Sequence, residues 1–425
     1  MTGFKVALVV GLFLFSTFAN AKDIYVDPSA TSGGDGSQAH PFNDLKRVVK
    51  SGSIMDGRLY LAPGNYGNLV ISKKVPSQGV EIISIQKHQA VFSSIKILSS
   101  KNWKIDGVKV RYDSETPKKV KYLVEVGYNS RNITVQNVLV TSSENIEAWN
   151  KSDWNNKTKS GIGSYAPGVK ILDNIVENID FGILALGQNS VVSGNLINHF
   201  SGDGLRGLGD NSLFEKNVVK NCHAVNDNHD DGFQSWSLGD DLKSGGGVIR
   251  NVSLRDNLFI GNETEDNSPK CYMQGIGLYD GMYEGWEISN NIVVVDHWHG
   301  IIVAGAKNVR ITNNTVFDPT GRKPGPAWIR VEDHKNGKKS TGNLVANNLA
   351  NSFQFPDGGV LQLQNQIIRN PHLLFVDPDN HDYRLKPGAR AIDAGMDGVG
   401  PKVDFYGNPR PSGEKTDVGA AEFVK

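Results

Sequence analysis

Between residues 132 and 365 the apolar positions of this chain recur in short alternating runs, with no stretch at the three-to-four spacing of an amphipathic helix. The runs read N-I-T-V-Q-N-V-L-V, V-K-I-L-D-N-I-V-E-N, V-V-S-G-N-L-I-N-H, L-F-E-K-N-V-V-K-N, V-S-L-R-D-N-L-F-I-G-N, W-E-I-S-N-N-I-V-V-V, V-R-I-T-N-N-T-V-F and N-L-V-A-N-N-L-A-N. Each carries a shared asparagine, at Asn137, Asn174, Asn195, Asn217, Asn257, Asn291, Asn314 and Asn348, so the steps are 37, 21, 22, 40, 34, 23 and 34 residues. The short steps set a basic period of about 21–23 residues, and the long ones add an insertion. Short strands at such a period predict a parallel β-solenoid, in which each coil buries its apolar side only by stacking on the next. Asparagine at one corner of every coil tolerates a left-handed turn and can hydrogen-bond to its copy above and below.

A second strand series follows the first: S-G-I-G-S-Y, F-G-I-L-A-L, D-G-L-R-G-L, D-G-F-Q-S-W, Q-G-I-G-L-Y, H-G-I-I-V-A, A-W-I-R-V-E and G-G-V-L-Q-L. The third position is always apolar (Ile162, Ile183, Leu205, Phe233, Ile276, Ile301, Ile329, Val360) and is expected in the core. Alternation then turns the fourth and sixth positions outward. The fourth column contains Arg206, Gln234 and Arg330, and the sixth contains Tyr165, Trp236, Tyr279 and Glu332. Insertions flank this series on both sides, which predicts a groove with loop walls.

The ends differ from the repeat. Lys5 precedes the apolar V-A-L-V-V-G-L-F-L-F, which runs to Ala19-Asn20-Ala21, a cleavage pattern. This reads as a signal peptide over residues 1–21, cleaved after Ala21, and implies a secreted or periplasmic protein. A short helix capped near Asn43 or Asp44 is expected to cover the first coil. The β-helix domain is expected over residues 22–370. The Pro- and Gly-rich segment 371–425 is expected as a C-terminal cap laid over the last coil.

Lysine plus arginine and aspartate plus glutamate both number 45, so no net field draws the chain to nucleic acid or an anionic membrane. No segment after the leader is apolar for long enough to insert in a membrane. The chain is expected to act as a monomer on a polysaccharide. Cys222 and Cys271 are the only cysteines; they suit one disulfide or two buried thiols equally, and cannot make a metal cluster.

Candidate chemistry concentrates on three or four adjacent coils. The segment N-D-N-H-D-D-G-F-Q-S-W brings Asp227, His229, Asp230, Asp231, Gln234 and Trp236 together. Neighbouring coils add Asp203 and Arg206, then Tyr279, Asp280 and Tyr283, then His297 and His299, then Arg330 and Glu332. An aspartate before a glycine is also a common turn, so Asp203 and Asp231 suit a structural role as well. What singles out the stripe is that flanking coils place Leu184, Leu186, Leu361 and Leu363 at equivalent positions.

With these residues, the opening Y-V-D-P…G-D-G-S…P-F-N-D-L and the closing D-F-Y-G-N-P-R…D-V-G-A-A-E, the chain resembles the secreted right-handed parallel β-helix proteins of the pectate-lyase-like superfamily, including its alginate lyases and mannuronan epimerases. Asp227-Asn228-His229-Asp230 is similar to the D-P-H-D motif of the epimerases, with Asn228 in place of proline. The resemblance implies an all-β right-handed parallel β-helix that acts on acidic polysaccharide, with His229 handling a proton.

Abstracting the carbon-5 proton of a uronic acid needs a cation on the adjacent carboxylate, supplied by Arg206, Arg330 or a bound Ca²⁺. It also needs a base, for which His229 and His299 are suited. Tyr279 is the candidate acid for the leaving oxygen, and Asp231 a further catalytic carboxylate. Asp203, Gln234, Trp236, Tyr283, Glu332 and Tyr165 are candidates for holding the sugar. A lyase acting by β-elimination on an alginate-like uronan is the favoured reading. Three others remain open: a glycoside hydrolase pairing carboxylates among Asp203, Asp231, Asp280 and Glu332, a carbon-5 epimerase, and a binding β-helix without catalysis.

Overall fold

The computed structural model describes residues 22–52, 54, 56–241, 243–263 and 269–425; the leader expected over residues 1–21 lies outside them. Each regular coil contributes three short strands. Lys170–Leu172, Ile175–Ile179 and Ile183–Ala185 make one coil, and they stack in parallel register on Val191–Ser193, Leu196–Phe200 and Leu205–Gly207 of the next. One sheet of thirteen parallel strands runs from Lys22–Val26 to Val360–Leu363 among the described residues. Inward residues such as Ile171, Val176, Val192, Ile197 and Leu205 are fully buried, so the interior is a continuous apolar column.

The asparagine ladder is present, displaced by one residue from its expected first rung. From Asn174 to Asn365 each side-chain amide donates to the next asparagine's Oδ1 at 2.8–3.0 Å. The left-handed residue is the one before each rung, as at Asp173 (φ 54°), Gly194 (φ 70°), Lys216 (φ 55°) and Asn313 (φ 56°). Asn137 is itself left-handed (φ 54°) and bonds Asp106 Oδ1 at 2.9 Å. Val138 takes the ladder slot, its N–H donating to Asn174 Oδ1 at 2.9 Å. Corner and ladder both favour asparagine for different reasons, so the pattern alone aligned Asn137 with the wrong one.

Helix α1, Leu45–Ser51, starts at Asp44, whose side chain accepts from the Arg47 N–H. Its Leu45, Val48 and Val49 are buried against the first coils. Helix α2, Lys151–Lys157, lies in the insertion after the coil of Leu139–Thr141 and carries a capping box of Asn150 and Asp153. Cys222 and Cys271 form a disulfide, which settles the choice between bridge and thiols.

The second series holds its expected register through seven coils. Ile162, Ile183, Leu205, Phe233, Ile276, Ile301 and Ile329 are all at most 1% exposed. The eighth unit was misassigned: Arg330 pairs with Gln354, while Val360–Leu363 extends the thirteen-stranded sheet. The last coil is short, with its ladder step only 17 residues, so the apolar run sits one face earlier than the spacing suggested.

The C-terminal segment packs along the flank of the solenoid and reaches the last coil, where Gln366 Nε2 donates to Arg390 O. Phe375, Tyr383, Leu385, Val418 and Ala420 form a second core with Ile292, Val294, Phe317 and Leu349 from successive coils. Arg410 pairs with buried Glu422 at 2.5 Å and donates to Asn290 Oδ1 at 3.1 Å. The Ala420 N–H reaches Thr315 Oγ1 and the Met396 N–H reaches Asn347 Oδ1. Leu361, on the last strand of the thirteen-stranded sheet, is 59% exposed.

Candidate active site

Where the second series leaves its corner, the first position of each unit forms a column: Phe181, Asp203, Asp231, Gln274 and His299, followed by Trp328. Asp231 pairs with Gln274, and His299 with Trp328. Past Phe181 the column is polar over four consecutive coils, from Asp203 to His299. Asp203 Oδ1 accepts from the Asp231 N–H at 3.1 Å, and its Oδ2 accepts from Arg206 Nε at 2.5 Å. The Arg206 guanidinium lies 3.7 Å from the Phe181 ring centre and 5.5 Å from that of Trp236. One face of the cation is thus held by an aromatic ring and one edge by a carboxylate.

Asp203 and Asp231 are 1% and 0% exposed, so neither can touch a polysaccharide directly. Both were expected at the substrate; the structure places Asp203 behind Arg206 and Asp231 behind Gln234. Gln234 Nε2 donates to Asp231 Oδ2 at 2.9 Å, while Asp231 Oδ1 has no partner. That oxygen faces Gly277, where a Cβ would sit 2.7 Å from it and 2.5 Å from Tyr279 Cε2. The missing side chain at Gly277 is what lets the Tyr279 ring fold back beside the carboxylates.

Burial raises the Asp231 carboxyl well above the usual range, and nearby Asp203 adds to the rise. Burial raises Asp203 too, against the pull of Arg206. Asp230 is pushed up to about 8, by burial first and then by Asp203 and Asp180 against the Asn228 hydrogen bond. Burial and mutual proximity thus favour the protonated form of each acid, and the Arg206 guanidinium opposes this at Asp203 and Asp231.

One coil on, Gln274 Oε1 accepts from the Tyr279 hydroxyl and lies 2.8 Å from His299 Nδ1. The Tyr279 oxygen is 2.7 Å from the same Nδ1. With Gln274 Oε1 as the shared acceptor, the imidazole proton sits on Nδ1 and leaves Nε2 as a free acceptor. Burial pushes His299 down to about 3, helped by the charges of His297 and Arg330. Burial likewise takes His297 to about 4. Burial, then the charges of Asp231 and Glu332, hold the Tyr279 phenol far above its usual range, so it keeps its proton.

Arg206, Gln234, Ser235, Trp236, Ser244, Tyr279 and Asp280 line one cavity of about 300 Å³. His229 stands exposed on the rim, where its charge bears on Asp203, His297 and His299. Arg330 pairs with Glu332 and lies 5.5 Å from the Trp328 ring centre, one coil beyond His299. Tyr165 is half-buried two coils before Arg206. Tyr283 does not belong here: it is fully buried, with its hydroxyl donating to Ser235 O at 2.7 Å. It belongs to a small inserted sheet of Val248–Arg250, Met282–Glu284 and Ala306–Lys307, which turns its ring inward and rules out sugar stacking. Asp180 and Gln274 went unnoticed in sequence; Gln274 occupies the same first position as Asp203 and Asp231, so aligning that position would have found it.

The carboxylates do not converge as a calcium cage. Among the described residues only Cys222, Asp230 and Cys271 bring three potential metal-ligating atoms together, and the two sulfurs are bonded to each other. Asp203 Oδ2 is taken by Arg206 and Asp231 Oδ2 by Gln234. The cation that this arrangement brings to the cavity wall is Arg206.

Residues 160–350 match the model of the family described as right handed beta helix region. A pectate disaccharide-lyase of Dickeya chrysanthemi is 26% identical over 272 residues, covering 57% of this chain; the chain spans about a third (34%) of that relative's length. Among solved structures, pectate lyase Pel9A superposes with a TM-score of 0.49 at 14% identity, over 95% of this chain and 98% of that one. The mannuronan C-5 epimerase AlgE4 A-module of Azotobacter vinelandii gives 0.34 at 13% identity, over 81% of this chain and 98% of that one. Coil geometry agrees with the family match, and the fold is a right-handed parallel β-helix.

Proposed function

We propose that this protein is a secreted or periplasmic polysaccharide lyase that cleaves a uronic-acid-containing chain by β-elimination, with alginate-like uronans the favoured substrates. The observation that carries this reading is one cavity with Arg206 and Tyr279 both on its wall, and His299 hydrogen-bonded to that tyrosine. Arg206 is fixed through Nε, which leaves its terminal nitrogens for the substrate carboxylate and the charge that builds there as the carbon-5 proton departs. His299 is neutral and takes that proton at Nε2. Tyr279, which keeps its own proton, supplies one to the leaving glycosidic oxygen. The name of the curated relative supports a lyase, and the disulfide suits an oxidising compartment.

A hydrolase would need two accessible carboxyls across the bond. Asp203 and Asp231 are buried, and Asp280 and Glu332 are paired with Lys335 and Arg330. The test is to incubate the protein with alginate, polygalacturonate and glucuronan and follow ultraviolet absorbance beside reducing ends. Elimination produces both signals together. Reducing ends without absorbance would sink the lyase in favour of a hydrolase, and carbon-5 proton exchange without cleavage would indicate an epimerase.

A further inference from the structure

The groove continues past the reaction centre toward the N-terminal coils, and its most exposed aromatic lies there. Tyr128 is 63% exposed in the turn after Tyr122–Val126. Its ring rests on Tyr165 with centroids 4.9 Å apart and planes tilted 33°. Tyr165 is in turn braced edge-on by Tyr122, 6.5 Å away at 82°, and Tyr122 is only 2% exposed. Three rings in series, anchored at the buried end, hold the outer face of Tyr128 in place with little freedom left to lose on binding.

This pair continues the stripe that leads to the cavity. Strand pairing stacks Tyr165, Leu186, Leu208 and Trp236 in neighbouring coils. At about 4.8 Å per coil, Tyr165 stands roughly 10 Å from the Arg206 coil along the axis. The parallel column at the same level reads Glu125, Gly163 and Leu184, and the cation there, Lys96, is already paired with Glu125 at 2.9 Å. An apolar ring face is offered, and the neighbouring Arg131 guanidinium is turned through Nη1 to the Tyr128 and Ser130 carbonyl oxygens, at 3.1 and 2.8 Å.

Resting on the lyase reading above, we propose that Tyr128 and Tyr165 form a distal subsite that stacks on the ring face of a pyranose, whether or not that unit carries a carboxylate. Only the unit at Arg206 must then be a uronate. A chain long enough to span both places is held at two points, so long oligomers bind better than short ones.

The experiment compares wild type, Tyr128→Ala and Tyr128→Phe by affinity electrophoresis in gels containing alginate, polygalacturonate or glucuronan, and by turnover of short and long oligouronates. Tyr128→Ala is expected to weaken binding of the retained polymer by about tenfold, the scale of one aromatic stack, and to raise the ratio of KM for long over short oligomers to a similar extent. Tyr128→Phe should behave as wild type, because the stack needs the ring and not the hydroxyl. Equal retardation of Tyr128→Ala and wild type would overturn the subsite, as would an equal loss on long and short oligomers or the absence of wild-type retardation in all three gels. Weakened retardation of Tyr128→Ala, with no unsaturated product from wild type, would uphold the platform and remove the lyase reading alone.

Discussion

Replacing Gln274 with glutamate puts a carboxylate where a neutral amide now meets His299, and this tests the proton assignment directly. The amide oxygen is 2.8 Å from Nδ1. An opposite charge within about 4–6 Å raises an imidazole by roughly one to three pKa units. Starting from about 3, His299 in Gln274→Glu should titrate near ~5; the new acid sits close to buried Asp231 and is itself partly protonated, which keeps the gain below its maximum. A base must be neutral, so competence is lost as pH falls through the raised value. From pH 6 to pH 4 the variant should lose about tenfold in kcat/KM while wild type changes little. The assay is the initial rate of unsaturated-product absorbance at limiting uronan, with circular dichroism confirming the fold at each pH. Identical acid limbs in the two proteins would refute His299 as the base and return attention to His229 on the rim.

Arg206→Ala should lower turnover by roughly 10²-fold. It should also lower the melting temperature, since it strands the buried Asp203 carboxyl; adding Asp203→Asn should restore stability and leave activity low, as thermal melts beside rate assays would show. Asp230 is raised from its ordinary 3.8 to about 8, so its contribution to stability is present in acid and lost as pH rises through 8. Asp230→Asn should therefore raise the melting temperature at pH 9 more than at pH 5, and an equal effect at both would contradict the assignment. Asn257→Ala breaks contacts to Asn217, Asn291, Phe214 and Arg255; it should cost about 3 kcal/mol in urea unfolding, against less than 1 kcal/mol for an exposed residue such as Asn156.

Most of the fold could be read from the sequence because one physical constraint repeats: a coil must bury the same positions at every turn. Ile162 through Ile329 obey it and were placed correctly. The errors fall where that constraint gives way. Tyr283 sits in an added sheet whose alternation is not that of the main coils. Val360 follows a shortened turn that shifts its run onto another face. Asn137 satisfies one corner's preference while occupying the neighbouring place. At the site, Arg206, Tyr279 and His299 were singled out by chemistry; Tyr279 and His299 are hydrogen-bonded, and Arg206 shares a cavity with Tyr279. What the pattern left out was which polar groups are shut away from solvent. Burial of Asp203 and Asp231 comes from the stacking of coils above and below, and the role of Gln274 appears only once Tyr279 bends over Gly277.

The asparagine ladder has a consequence for how such a groove can change over evolutionary time. Successive rungs are separated by as few as 17 and as many as 40 residues, yet their amide contacts stay at 2.9 Å. Contour length between rungs and pitch along the axis are thus decoupled. A loop can be lengthened, trimmed or replaced without altering the interval at which floor residues present themselves to a ligand. Loop walls are free to diversify while the floor works as a ruler of constant gauge, set by the backbone and indifferent to what is grafted between its marks.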